Sequence, residues 1–206
     1  MEEEKIFKEI NDHLLEDEKP SKYIRSMINK GLLREEPFNF ISKLEDIPQN
    51  KKYHPEGNVL EHTLMVVDEA AKIKKLSKDS KAFMWAALFH DLGKITTTKL
   101  RDGRITSYNH DIEGEKIVED ILEKLKVDED FKNKVLYLVR YHMHTFFINK
   151  NLPFSDIKGL LSRGDVEEVA LISLADRLGR GEIDDFGKKE VYKFIEDFRE
   201  KVKTLK

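Results

Sequence analysis

The chain of 206 residues carries 37 Lys and Arg against 40 Asp and Glu, a formal charge of −3, so bulk charge draws it neither to nucleic acid nor to an anionic membrane. It has no cysteine, which excludes thiolate catalysis, thiolate zinc sites and disulfides. A composition 39% hydrophobic and 37% charged suits helices with one wet face, in one domain or one domain with a helical extension.

Met1-Glu2-Glu3-Glu4 is the reverse of a basic secretory leader, and no apolar run approaches the roughly 20 residues of a membrane helix, so a cytoplasmic protein with no membrane partner is expected. Residues 3–16 place Ile6, Phe7, Ile10 and Leu14 at helical spacing, and Pro20 closes that segment. A second helix is predicted over 21–33, with Tyr23, Ile24, Met27 and Ile28 on one stripe before Gly31. The stretch 37–57 holds three prolines and reads as a short helix followed by a fixed loop. Residues 1–50 thus form a helical N-terminal extension, expected to pack on the main body at 51–206 rather than to stand as a separate arm.

Asn58, with Glu61 three residues later, has the form of a capping box. In the helix that follows, Val59, His62, Val66, Ala70 and Ile73 share one face. Asp79 or Ser80 caps the next helix, 82–92, which is apolar nearly all round from Phe83 to Phe89 and therefore central; Gly93 is expected to end it. Segments 96–101 and 104–108 flank Asp102-Gly103, the pair favoured in a type I′ turn, and predict a small β-hairpin. His110 opens a helix lined by Gly114, Ile117, Ile121 and Leu125, and Phe131, Val135, Leu138 and His142 mark the inner stripe of the next. Asp165 with Glu168 caps a further helix that is apolar from Val169 to Ala175 and reaches Asp176. An amphipathic helix over about 188–204 is the last predicted element. Apart from the hairpin the expected fold is all α, and no repeat is evident.

Four of the seven histidines, His62, His90, His110 and His142, fall on apolar helical faces, and Asp91 and Asp176 lie in the most hydrophobic helices. Taken alone, each reads as a hydrogen-bonded core residue, because a buried polar group is costly unless something replaces its lost hydration. Divalent metal explains all six together: imidazole and carboxylate are its ligands, and its charge offsets the buried aspartates. His90 and Asp91 differ by about 100° around a helix and can approach one centre from neighbouring directions. His62 and Asp176 complete a four-ligand set, and His110 and His142 can hold a second ion with Asp91 bridging through its two oxygens. One or two ions so placed acidify bound water, giving a hydroxide for in-line attack on phosphorus. Manganese, iron, cobalt, nickel and zinc all suit such ligands, and histidine-rich ligation disfavours magnesium at both positions.

Asp91 and Lys94 are the catalytic candidates, and Lys94, Arg177 and Arg180 the phosphate-binding ones. Lys94 either brings its ammonium to a phosphate or a departing oxygen, or is a surface lysine beyond a helix-ending glycine. Arg177 and Arg180 carry forks that fit phosphate oxygens, or else form an ion pair with Glu182 or Asp184. His144, about 200° round from His142, is expected at the pocket rim or on the surface rather than as a ligand. His54 either touches the site or fixes its loop, and His13 is ordinary. The hairpin is either a pocket wall or a connector.

His62, then Phe89-His90-Asp91-Leu92-Gly93-Lys94, then Leu174-Ala175-Asp176, resembles the H…HD…D signature of the HD superfamily. Three further stretches extend the likeness: Tyr53-His54-Pro55-Glu56-Gly57-Asn58-Val59 before Glu61-His62-Thr63-Leu64, Gly103-Arg104-Ile105-Thr106-Ser107-Tyr108 before His110, and Ala175-Asp176-Arg177-Leu178-Gly179-Arg180. Over roughly residues 50–182 they are most similar to the HD module of bacterial CCA-adding tRNA nucleotidyltransferases. The resemblance implies an HD-domain helical bundle and metal-dependent hydrolysis of a phosphomonoester or phosphodiester. Members related to that module hydrolyse 2′,3′-cyclic phosphates and 2′-nucleotides; others cleave dinucleotides, cyclic dinucleotides or dNTPs. His110 and His142 look like the additional histidines of binuclear members.

These residues include no nucleotidyltransferase domain, so CCA addition is not expected, and the lack of a GYP-type motif in 110–145 argues against a cyclic-di-GMP phosphodiesterase. The expected substrate is a nucleotide or another small phosphorylated metabolite; an RNA end is admitted, though the charge does not call for one. Two alternatives are a di-iron oxygenase built on the same ligands and a regulatory module that holds its metals without turnover. The sequence leaves the oligomeric state open.

Overall fold

In the computed structural model, which describes residues 2–181 and 183–205, the N-terminal segment folds as α1 (Glu2–Glu16), α2 (Ser21–Asn29) and α3 (Asn39–Lys43). Their apolar stripes face inward: Ile10, Leu14, Ile24 and Ile41 are buried, and the Phe7 ring stacks on Trp85 at 4.5 Å. Helix α2 stops at Asn29, short of the predicted 33, because the chain turns left-handed at Gly31, φ +74°.

Helix α4 (Val59–Ile73) begins where the Asn58 side chain accepts the Glu61 N–H at 2.9 Å. The Glu61 carboxylate does not close the predicted capping box. It accepts from Arg25 instead and, with the Ser21–Asp68 bond at 2.8 Å, ties α4 to α2. Asp79 caps α5 (Ser80–Phe89) by accepting from the Ala82 N–H, and every residue from Ala82 to Phe89 is buried. A helix with no polar face must be enclosed, and α5 is the central one.

The helix predicted over 82–92 ends early, at Phe89. His90, Asp91, Leu92 and Gly93 form turns that lead into α6 (Lys94–Thr97), so the strand expected from 96 begins only at Lys99. Close packing is the reason. A Cβ on Gly93 would stand 1.9 Å from the His110 carbonyl oxygen and 2.5 Å from the Gly114 nitrogen, so this turn lies directly on the first turns of α7 (His110–Lys124).

Between them, β1 (Lys99–Arg101) and β2 (Arg104–Thr106) pair antiparallel, with Lys99 opposite Thr106. Asp102 and Gly103 take φ of 47° and 72°, as a type I′ turn requires. Helix α8 (Glu129–Tyr141) follows, then two short helices that hydrophobic spacing did not predict, α9 (His144–Asn149) and α10 (Ile157–Arg163).

Asp165 caps α11 (Val166–Leu178) through the Glu167 N–H, whereas Glu168, expected to share in the cap, accepts from Ser77 and Lys78. The amphipathic α12 (Asp185–Leu205) packs on α11 and α9. Helix α5 is contacted by α1, α4, α8 and α11. The fold is all α with one hairpin, as expected, and no helix among the described residues is long and apolar enough to cross a membrane.

Gly93→Ala is expected to cost about 3 kcal/mol, since its methyl group meets rigid backbone rather than a yielding side chain. Urea denaturation measures this, and an unchanged midpoint would contradict the close approach of the turn to α7.

Candidate metal centre

Five elements bring six ionisable side chains to one buried spot. His62 lies in the first turns of α4, His90 follows the last residue of α5 with Asp91 next, His110 opens α7, His142 follows α8, and Asp176 lies near the end of α11. None is more than 9% exposed.

Helix ends set the ring orientations, because terminal carbonyls lack intrahelical partners and can take a ring N–H. His90 Nδ1 lies 2.8 Å from the Ala87 carbonyl and His142 Nδ1 2.7 Å from that of Val139. His110 Nδ1 lies 2.8 Å from the Ser107 carbonyl, at the foot of the hairpin. His62 Nδ1 faces the Gly179 carbonyl at 3.2 Å and Glu56 Oε1 at 3.0 Å. Carbonyls only accept, so each Nδ1 carries a proton, and in the neutral ring Nε2 keeps the lone pair.

Those lone pairs point at one another: His62 and His90 Nε2 stand 3.4 Å apart, His110 and His142 Nε2 3.1 Å. Between neutral rings the facing lone pairs repel, and a cation between them removes the conflict. Donors bound at ~2.1 Å to one ion stand ~3 Å apart, so the spacing fits a divalent metal.

Asp91 faces both pairs. Its Oδ2 lies 3.3 Å from His90 Nε2 and 3.7 Å from His62 Nε2, and its Oδ1 3.5 Å from His110 Nε2 and 4.0 Å from His142 Nε2. Asp176 Oδ1 lies 3.1 Å from His62 Nε2. The residues can therefore hold an ion among His62, His90 and Asp91, or among Asp91, His110 and His142.

Burial alone would raise the pKa of Asp91, but the Lys94 ammonium and the His90 imidazole outweigh it and hold the carboxyl well below its usual range. Asp176 is treated alike by Arg180 and His62. Burial pushes His110 down to about 3 and lowers His142, which keeps both imidazoles neutral, the ligating form. Burial opposes protonation of His62 too, but bonds to Asp176 and Glu56 prevail and raise it.

The cluster floors a cavity of about 790 Å³ whose walls include Lys52, Tyr53 and His54 from the loop before α4, and Arg104 and Tyr108 from the hairpin segment. The hairpin is thus a wall as well as a connector. Lys94 is not a surface lysine: it is buried, 2.7 Å from Asp91 Oδ2, and donates to Gln49 Oε1 at 2.8 Å. Arg180 binds Asp176 at 2.8 and 3.1 Å rather than Asp184, and Glu182 lies outside the described residues. Arg177 lies over the Phe194 ring, 3.5 Å from its centroid, with no acceptor for Nε among the described residues. Burial and Arg180 lower its pKa to about 10, which leaves it charged at neutral pH.

The remaining histidines divide. His144 is neither at the rim nor on the surface: α9 starts there and carries the ring into the core against Tyr141 and Phe147, where Nε2 accepts the Asp156 N–H at 3.0 Å. His54 Nδ1 lies 2.9 Å from Glu56 Oε1, and His13 bonds Asp17 and stacks on Tyr23. Sequence reasoning missed Gln49 and Glu56. Both sit in the proline-containing loop before α4, and the available signal was a polar side chain in a segment too constrained to point freely at water.

A family model described as HD domain matches residues 59–181. The multifunctional CCA protein of Pseudomonas fluorescens (strain SBW25) is 33% identical over 188 residues, covering 86% of this chain and 43% of that protein. That of Alkalilimnicola ehrlichii (strain ATCC BAA-1101 / DSM 17681 / MLHE-1) is 28% identical over 188 residues, 88% of this chain and 44% of its own length. That of Actinobacillus pleuropneumoniae serotype 5b (strain L20) is 36% identical over 107 residues, 52% and 26% of the two chains. The chain spans less than half the length of these curated relatives.

Burial, with the nearby charge of Arg140, lowers His144 to about 3 from an ordinary 6.5. The unfolded chain takes up a proton there near pH 6.5 that the folded chain refuses until about 3, so stability is lost as pH falls through that window. His144→Gln retains an acceptor for the Asp156 N–H and removes the titration. Urea midpoints in chelator are expected to fall less for this variant than for wild type between pH 7 and 5; equal falls would remove His144 from the acid response.

Proposed function

Since the chain belongs to the HD domain family, a superfamily of metal-dependent phosphohydrolases, we propose that it hydrolyses a phosphomonoester or phosphodiester of a nucleotide or a similar small phosphorylated metabolite. The observation that carries this reading is the two-sided Asp91 carboxylate, set between two histidine pairs on the floor of a cationic cavity. His62, His90, Asp91 and Asp176 would hold one divalent ion, and His110 and His142 with Asp91 a second. Such ions, when bound, supply Lewis acidity toward a phosphate oxygen and acidify water to a nucleophile near neutral pH.

The chain's own residues do the rest. Asp91 and Gln49 hold the Lys94 ammonium at the cavity floor, where it can neutralise charge on a phosphate or on the departing oxygen. Arg180 is engaged with Asp176 and orients that carboxylate. Arg177 is charged, lines the cavity and has no carboxylate bonded to it among the described residues, so its guanidinium is the one suited to grip non-bridging phosphate oxygens. A cavity of about 790 Å³ lies within the usual range for a small ligand, and the exposed Tyr53 and Tyr108 at its wall offer faces to a base. Likeness to multifunctional CCA proteins supports a nucleotide as the bearer of the phosphate.

With nucleotides and 2′,3′-cyclic phosphates as substrates, chelated protein is expected to be inactive, and Mn²⁺ or Co²⁺ to restore turnover. The His90→Ala, Asp91→Ala double variant should fall to background, and full activity in it would end this reading. Arg177→Ala is expected to raise KM about 30-fold, the loss of one charge-assisted contact of about 2 kcal/mol, while metal content stays that of wild type; an unchanged KM would take Arg177 out of substrate binding.

A further inference from the structure

His62 is held differently from the other three inward histidines. His90, His110 and His142 each have Nδ1 within 2.8 Å of a backbone carbonyl. The carbonyl that accepts from His62 Nδ1, that of Gly179, is more distant at 3.2 Å, and the Glu56 carboxylate flanks the same nitrogen with Oε1 at 3.0 Å. The Glu56 side chain is 3% exposed; Oε1 also faces His54 Nδ1 at 2.9 Å, and Oε2 is buried without a hydrogen-bond partner.

The loop is built to keep that carboxylate in place. Gly57 turns at φ +113° immediately after it, the Val59 N–H bonds back to the Ile47 carbonyl, and a Cβ on Gly181 would stand 2.9 Å from the Pro55 ring. A buried anion beside Nδ1–H adds what a carbonyl supplies only weakly: its charge holds the ring proton on that side and makes Nε2 a stronger donor. The two candidate ion positions differ in a second respect. Asp176 lies beside the His62–His90 pair, whereas the His110–His142 pair has Asp91 as its carboxylate in the ligand groups of the described residues.

We propose that Glu56 is a positioning residue that orients and strengthens His62, making the His62, His90, Asp176 position the tighter of two, so that it fills first. This rests on the metal-centre reading above. The test is titration of metal-free protein with Co²⁺, whose visible spectrum reports its coordination. Wild type is expected to fill in two unequal steps. Glu56→Gln keeps an acceptor but loses the charge, and should weaken the first step about 10- to 100-fold with an altered first-ion spectrum and little change in the second.

Glu56→Gln that titrates as wild type, or that weakens both steps equally, overturns the proposal, as do two equal steps in wild type. Should Glu56→Gln fail to fold, Glu56→Asp is titrated in its place. Its charge is retained but drawn back from Nδ1, so the first step should again be the weakened one, and an unaltered first step overturns the proposal. Wild-type protein that binds no Co²⁺ overturns the metal-centre reading and this proposal with it, whereas failure of the proposal alone leaves Co²⁺ binding by wild type intact.

Discussion

A carboxylate held at 2% exposure in the middle of a helical core shapes this protein more than any other group. Asp91 cannot be left there without partners, because the desolvation of a lone buried anion far exceeds what a domain of this size can absorb. Its surroundings answer that demand on both sides, with the Lys94 ammonium and imidazole at Oδ2 and a second pair of imidazoles at Oδ1. Meeting it has backbone consequences. The central helix ends at Phe89, the next four residues turn, and Gly93 brings that turn against α7 at a distance only a glycine permits. Lys94 and His110 reach the cluster through that one close approach.

Rigid anchors then give the site its precision. Three of the inward imidazoles are locked by carbonyls within three residues of themselves, so their orientation follows from where a helix ends or begins and not from a flexible side-chain network. The fourth, His62, depends on Glu56 in the loop just before α4 and on Gly179, far along the chain beyond α11. The N-terminal segment contributes at one remove: Arg25 and Ser21 on α2 brace the helix that carries His62.

The charges around the cluster nearly cancel before any ion is counted. Asp91, Asp176 and Glu56 are matched by Lys94, Arg177 and Arg180, and two of these cations are engaged directly with the aspartates. Divalent charge added to such a floor would leave the cavity electropositive, as the proposed anionic substrate requires, even though the whole chain carries a formal charge of −3.

The helices, the hairpin turn and the six inward His and Asp residues were legible in the order of amino acids, because each rests on a short-range rule: apolar periodicity, a capping side chain, or the φ > 0 demanded by Asp102-Gly103. That imidazoles and carboxylates on five predicted helices should converge was an argument from the cost of burying them singly. Where α5 stops, why His144 turns into the core, which arginine is committed to Asp176 and which is free, and that Glu56 stands behind His62 were decided by the tertiary structure alone. The contacts of Gly93 with α7, of His144 with Asp156 and of Arg177 with Phe194 join residues distant in sequence, whose closeness no local pattern encodes. Arg180–Asp176 and Glu56–His62 join near neighbours, whose side-chain directions the packed core selects.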